Sequence, residues 1–358
     1  MYISTKRHQK GPFCQGVYPT PWQNITPETL TSPKQSFGSK LGKTAFSNYL
    51  CITKSSVRPM RRIILLLITL LSLASCTSLR YAGVNRVRNY DISSPDVPEP
   101  FNGYRIAFAS DFHLESKFKE RQLHGTVKAL KALAPDVLLL GGDYQEGCEY
   151  VAPLFEALAQ ATPPDGTYAV LGNNDYERCT ELIRTAMRAH GIVLLEDSIA
   201  TIHRGADSII VWGANAYAGR YPTAPHRRGS LPHGSQAGMW KAEPRSREPD
   251  TRDQQPPLIS QEDFTVLLTH TPDYVEEPEA GIADLSLAGH THGGQVTLFG
   301  LYAPITASKY GMKYRTGLKR SCHGTPIIIS NGLGTSRRPI RLFAPTDIVV
   351  VTLRRTQI

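Results

Sequence analysis

The 358-residue chain is poor in cysteine: its six, Cys14, Cys51, Cys76, Cys148, Cys179 and Cys322, are too few for a disulfide-built scaffold of this length. Long apolar runs are scarce as well. The longest, over residues 63–75, falls short of the roughly 20 residues that span a bilayer. Most of the chain also lacks excess charge. The formal net charge is +9, but residues 1–59 hold Lys6, Arg7, Lys10, Lys34, Lys40, Lys43, Lys54 and Arg58 against Glu28 alone, and Arg61 and Arg62 follow. The remainder is balanced, so the broad basic footprint of a nucleic-acid binder is absent and no nucleic acid is expected as a partner. Hydrophobic residues make up 41%, enough to bury one large core or two modest ones.

The N-terminal part reads as an address. Met60-Arg-Arg leads into Ile63-Ile-Leu-Leu-Leu-Ile-Thr-Leu-Leu-Ser-Leu-Ala-Ser-Cys76, the basic start, apolar centre and small-residue end of a secretory signal. Its ending, Leu73-Ala-Ser-Cys76, resembles the lipobox of bacterial lipoproteins. That resemblance implies a lipid anchor on Cys76, membrane attachment and a place at the bacterial cell envelope. A signal begins near the start of translation, so Met60 is the expected start and residues 1–59 a mis-assigned extension. Residues 60–76 are then the signal segment, and 77–100, polar with prolines near the end, a tether leading into an early strand or extended segment. Of the cysteines left, Cys148 and Cys179 lie just past strand ends; pairing in an oxidising envelope is open to them, but separate reduced thiols are expected.

Residues 101–358 read as one domain. Apolar runs at 104–109, 136–140 and 167–171 alternate with helical spacing at 120–133, 151–160 and 180–190, and strand-like runs follow at 191–195, 208–212, 264–269, 285–288, 326–330 and 348–353. Strand and helix alternate early and strands dominate late, which predicts a layered α/β fold with a large, partly mixed sheet. The stretch 219–257, rich in Arg, Pro, Gly, Ser and His and without period, reads as a mobile insertion.

Several of these runs stop on metal-type ligands. They end Asp111-x-His113, Gly-Asp143, Gly-Asn173-Asn174-Asp175, Thr-His270 and Gly-His290-x-His292. Ligands of such folds gather outside the carboxyl ends of strands. Carboxylate, imidazole and carboxamide together suit divalent Zn, Mn or Fe. Seven ligands exceed one site and suit two ions sharing a carboxylate, an arrangement that acts on phosphorus by in-line displacement. The strand-end glycines are expected to let backbone approach the ions. Any one of these pieces alone is ordinary; their shared order is not.

In that order the motifs D-x-H, G-D, G-N-x-D, H and G-H-x-H resemble those of calcineurin-like metallophosphoesterases, and Gly-Gly-Gln-Val296 with Ser330-Asn-Gly-Leu-Gly-Thr-Ser-Arg-Arg-Pro-Ile-Arg341 resembles the family's bacterial envelope branch. The resemblance covers about residues 101–355. It implies two mixed β-sheets sandwiched between helices. It also implies one metal on Asp111, His113, Asp143 and His292, a second on Asp143, Asn173, His270 and His290, and hydroxide attack on a phosphodiester, pyrophosphate or phosphomonoester. Asn174 stands where the family has a histidine that serves the leaving group, with Asp175 expected to orient it. Asn donates a hydrogen bond but no proton near neutral pH. The expected partner is a phosphoester substrate, a lipid-linked one included. The alternative is a metal-bearing binding lipoprotein with weak catalysis. Oligomeric state is not legible.

Overall fold

In a computed structural model of the chain, the described residues are 63, 65, 66, 84, 86–114, 120–216, 226–227, 258–259 and 263–356. The chain divides into the units Met1–Ala74 and Ser75–Ile358, and the fold below is that of the second. The 1–59 extension, Cys76, the first part of the tether and almost all of the insertion at 219–257 lie outside the described residues.

Numbered along the chain, the strands are β1 (Arg86–Ser94), β2 (Arg105–Ala109), β3 (Val137–Leu140), β4 (Thr167–Ala169), β5 (Ile192–Leu194), β6 (Ser198–Arg204), β7 (Asp207–Ala214), the two-residue β8 (His226–Arg227) and β9 (Leu258–Ile259), β10 (Phe264–Thr269), β11 (Leu285–Ala288), β12 (Gly317–Arg320), β13 (Pro326–Ile329) and β14 (Asp347–Arg355). The α-helices are α1 (Glu120–Leu133), α2 (Val151–Ala159), α3 (Asn173–Glu177) and α4 (Thr180–Ala189). Two six-stranded sheets result, in the orders β1-β14-β2-β3-β4-β5 and β12-β13-β11-β10-β7-β6. In the first only β14 and β2 run antiparallel. In the second the edge pairs β12/β13 and β6/β7 are antiparallel and the inner strands parallel.

The continuous apolar runs are explained by burial on both faces. In β2 and β3, Ile106, Phe108, Val137 and Leu139 pack with Val266, Leu268, Leu285 and Leu287 of the second sheet. The alternate side chains, Ala107, Ala109, Leu138 and Leu140, pack with Leu123, Val127 and Leu130 of α1, Leu154 and Phe155 of α2, and Ile183 and Met187 of α4. On the second sheet, Trp212 and Leu267 pack with Tyr274 and Ala280 from short 3-10 turns. The architecture is therefore α/β, with two mixed sheets flanked by helical elements. The large single sheet expected from the strand pattern alone is corrected to two.

Edge strands are the hardest to read from sequence. β12 is nearly all exposed, and β6 is half polar and turns into β7 through Gly205. β1 corrects the second half of the expected tether. It pairs with β14 over nine positions, from Arg86↔Asp347 to Ser94↔Arg355, and Arg88 Nε sits 2.7 Å from the buried Asp347 carboxylate.

Candidate metal centre

Parallel pairing sends the ends of β2, β3 and β4, and of β10 and β11, in one direction within each sheet. The loops leaving them are tied across the two sheets. Gly141 O accepts from Nδ1 of His270 at 2.7 Å, and His290 N donates to the Asp111 carboxylate at 3.0 Å. Asp111, His113, Asp143, His290 and His292 all hold left-handed backbone, with φ between 42° and 68°. Each such non-glycine residue costs about 1–3 kcal/mol and persists only where surrounding bonds enforce it. Here Asp111 N donates to Gly142 O, His113 N to Asp143 O, and Gly334 N to Asp111 O.

The strand-end glycines clear space for ligands, a different reason from the expected approach of backbone to ions. A Cβ on Gly172 would collide with the Asp143 carboxylate, and one on Gly289 with Ser110 and the Asp111 carboxylate.

All seven expected ligands come together. Asp111, His113 and His292 form one group and Asp143, His270 and His290 another, each with donor atoms within 4.8 Å of one another. His113 Nε2 lies 3.2 Å from His292 Nε2, and His292 Nε2 lies 3.5 Å from Asp111 Oδ1. In the other group His270 Nε2 is 3.0 Å from His290 Nδ1 and 3.2 Å from Asn173 Oδ1. Asp143 Oδ2 stands between the groups, 3.4 Å from His113 Nε2 and 3.4 Å from His270 Nε2. Imidazole nitrogens and carboxylate oxygens converging at this density fit a pair of divalent ions.

Electrostatics shows what holds such a cluster together without cations. Burial would raise the Asp143 carboxyl, but His270, His113 and His290 keep it well below the usual carboxylate range. Burial would lower His270, yet the charges of Asp143 and Asp111 raise it to about 10. His113 is raised too, as its bond to Glu146 and the Asp143 charge outweigh burial. Burial and the neighbouring His270 push His290 down to about 4, and burial, His113 and Arg341 hold His292 well below its ordinary value. Of the four imidazoles, His113 and His270 are thus raised and His290 and His292 lowered.

Two positions depart from expectation. Asp175 does not orient Asn174. It is buried, and its oxygens accept from the backbone N–H of Asp143 (2.8 Å), Gly172 (2.8 Å) and Tyr144 (3.0 Å). Burial and the Asp143 charge raise it to about 7. It pins the β3 and β4 loops together. Asn174 itself lies at the site's edge, its Nδ2 3.2 Å from His113 Nδ1 and 3.4 Å from Glu146 Oε1. Cys148 and Cys179 are joined in a disulfide with Cα atoms 5.5 Å apart, correcting the expectation of separate thiols; the fold brings the starts of α2 and α4 together, which sequence distance hides.

Two residues were missed. Glu146 accepts from His113 Nδ1 at 2.6 Å. Arg341 is buried beside His292, donating to the carbonyls of His292, Asn331, Gly334 and Ala344, with Nη2 3.1 Å from His292 Nδ1. The signal for Glu146 was its place three residues after Asp143; that for Arg341 was its place at the end of the 330–341 motif, which gave none of its arginines a role of its own.

A family model described as calcineurin-like phosphoesterase matches residues 104–294, over half of the chain. The chain is 28% identical over 277 residues to the uncharacterized metallophosphoesterase YkuE of Bacillus subtilis, covering 75% of this chain and 85% of that one. It is 26% identical over 273 residues to an uncharacterized metallophosphoesterase of Aquifex aeolicus, covering 75% and 92%. Among solved structures, TT1561 of Thermus thermophilus aligns over 65% of this chain and 91% of its own, with 12% identity and a TM-score of 0.36.

Proposed function

Because the chain belongs to the calcineurin-like phosphoesterase family, we propose that it is a two-metal phosphoester hydrolase working at the bacterial cell envelope. The observation that carries the reading is the position of Asp143, one carboxylate oxygen equidistant from two histidines of separate ligand groups. Asp111, His113, Asp143 and His292 would hold one ion, and Asp143, Asn173, His270 and His290 the other. Bound there, divalent ions neutralise phosphoryl charge and lower the pKa of water toward neutrality.

The remaining work falls to the chain's own groups. Glu146 accepts the Nδ1 proton of His113, and Gly141 O that of His270, so in both rings Nε2 faces the centre. Asp175 holds the Asp143 and Gly172 backbones in register. Asn174 Nδ2 offers a hydrogen bond to an oxygen of the substrate but no proton. That favours substrates whose leaving group needs none, pyrophosphates and activated diesters over alkyl monoesters. The lipoprotein-type segment ending at Cys76 and the disulfide of Cys148 and Cys179 both support an exported protein.

The test is metal content and hydrolysis of bis-(p-nitrophenyl) phosphate by the full chain beside Asp143→Asn. About two metals per chain with turnover lost in the variant is expected. Asn174 favours a second reading, a metal-bearing binding protein with feeble catalysis. Bound metal without turnover on any phosphoester would select it, and a chain that takes up no metal would remove both readings.

A further inference from the structure

Just past His292 the chain does something that folding alone does not explain. Among the described residues after 66, eight of the eleven large apolar side chains left exposed are Val296, Leu298, Phe299, Leu301, Tyr302, Ile305, Tyr310 and Ile340. Leu301 is 80% exposed and Ile305 76%. Single exposed apolar residues mean little, but a contiguous group marks an interaction surface.

Four of them, Leu298, Phe299, Leu301 and Tyr302, are presented on a built element. Leu298 N donates to Tyr302 O at 2.7 Å and Leu301 N to Leu298 O at 2.9 Å, closing a tight hairpin turn. Its two central residues, Phe299 and Gly300, both have positive φ, 52° and 74°. Turns of this kind take Asn, Asp or Gly at the first central position, so a phenylalanine there is held against local preference. Thr297 N donates to Leu342 O, Gly300 N to Thr297 Oγ1, and the Phe299 and Phe343 rings lie 5.4 Å apart. The tip is rigidly aimed.

It is also coupled to the metal centre. Arg315 donates from Nη2 to Gly300 O at 2.7 Å and from Nη1 to Gly293 O at 2.8 Å. One guanidinium therefore ties the hairpin tip to the residue after His292.

The segment that carries the hairpin has one sign of charge. From Leu285 to Thr346 the sequence contains no Asp or Glu, but Lys309, Lys313, Arg315, Lys319, Arg320, Arg337, Arg338 and Arg341. Arg337 and Arg338 are exposed, in the loop whose Ser336 and Arg338 carbonyls accept from Gln295 Nε2 beside the hairpin, and Lys309 is exposed seven residues beyond the hairpin's last residue, Tyr302. The acids that the fold brings against this segment have buried side chains and are engaged, Asp273 by Ser308 Oγ and Lys309 N and Glu276 by Lys313 and Tyr314, so an apolar tip whose exposed rim is basic is complementary to an anionic lipid surface. A protein partner would be met as well by a mixed rim.

We propose that the hairpin at residues 298–302, with Ile305 and Ile340, enters the headgroup–acyl boundary of an anionic bilayer and seats the metal centre against phosphoesters resident in that membrane. This docking is separate from any lipid on Cys76. From the hydrolase reading it takes only the nature of what the membrane presents. Burial of each such side chain strengthens bilayer binding about tenfold or more, so several together make a stable contact, and the basic rim makes it weaker in high salt.

The experiment uses the full chain carrying Leu301→Trp, beside the parent, with vesicles of equal parts phosphatidylcholine and brominated phosphatidylglycerol. The expected result is a blue-shifted emission from the added tryptophan that brominated lipid quenches, and less quenching in high salt or with phosphatidylcholine alone. Unquenched emission while the protein sediments with the vesicles would overturn the proposal, since the chain would be held elsewhere. A blue shift that grows with protein concentration and needs no vesicles would overturn it in favour of contact between copies. Bis-(p-nitrophenyl) phosphate turnover is followed in the same samples. Quenching without turnover of this or any other phosphoester would sustain the docking and remove the hydrolase reading.

Discussion

Glu146 Oε1 accepts from Nδ1 of His113 at 2.6 Å, and so decides which nitrogen of that ring faces Asp143. A carboxylate behind a ligating histidine fixes its tautomer and raises its basicity. Glu146→Gln is therefore expected to weaken metal binding about 10- to 100-fold with little change in melting temperature. Calorimetric metal titration checks this; wild-type affinity would mean that Glu146 does not position the ring.

Asp175→Asn tests the pin between loops. The carboxylate accepts three backbone N–H bonds, and a carboxamide has one oxygen and a donor aimed at other donors. A loss of about 1–3 kcal/mol in unfolding free energy is expected from leaving a buried amide unpaired, read from denaturant midpoints. Metal affinity should fall with it, because Asp143 N is one of the three.

The pH dependence follows from His270, raised to about 10. A group whose folded pKa lies above its unfolded value near 6.5 stabilises fully below the unfolded value and loses that contribution as pH rises through the folded one. The metal-free protein should therefore lose stability between about pH 6.5 and 10, and metal affinity should climb over the same window as the proton is displaced. Melting curves with and without chelator across that range check both; a flat metal-free profile would show that His270 does not hold the proton.

Reduction tests the disulfide. Cys148 and Cys179 are 31 positions apart and link the β3–α2 connection that carries Glu146 to the junction between α3, which carries Asp175, and α4. Closing a loop of that length contributes about 3–4 kcal/mol in the chain-entropy account. The double serine variant should unfold at correspondingly lower denaturant, with reductant adding nothing further.

Asn174→His would place an imidazole beside Glu146, which stands 3.4 Å from the present Nδ2. Faster turnover of esters with poor leaving groups, up to about 100-fold, is expected with metal content unchanged. Equal rates on good and poor leaving groups in both proteins would show that this position does not serve the leaving oxygen.

Much of the site was legible because strand ends are local facts. Apolar runs stopping at Asp111, Asp143, Asn173, His270 and His290 announce buried strands and deliver ligands at the same end of each. The helices were legible for a similar reason, since Leu123, Val127 and Leu130 repeat at the spacing one face requires.

What the tertiary structure alone decided depends on partners distant in sequence. Edge strands such as β1 and β12 have little apolar pattern and exist because a neighbour supplies hydrogen bonds. Asp175 looked like chemistry and serves as a pin, because its three donors come from backbone on two loops. Glu146 and Arg341 gained roles from the rings beside which folding places them, His113 and His292. Ligand identity is written in residue type and in the strand that carries it. The groups that orient, neutralise and brace those ligands are chosen by proximity in space, which no single stretch of sequence contains.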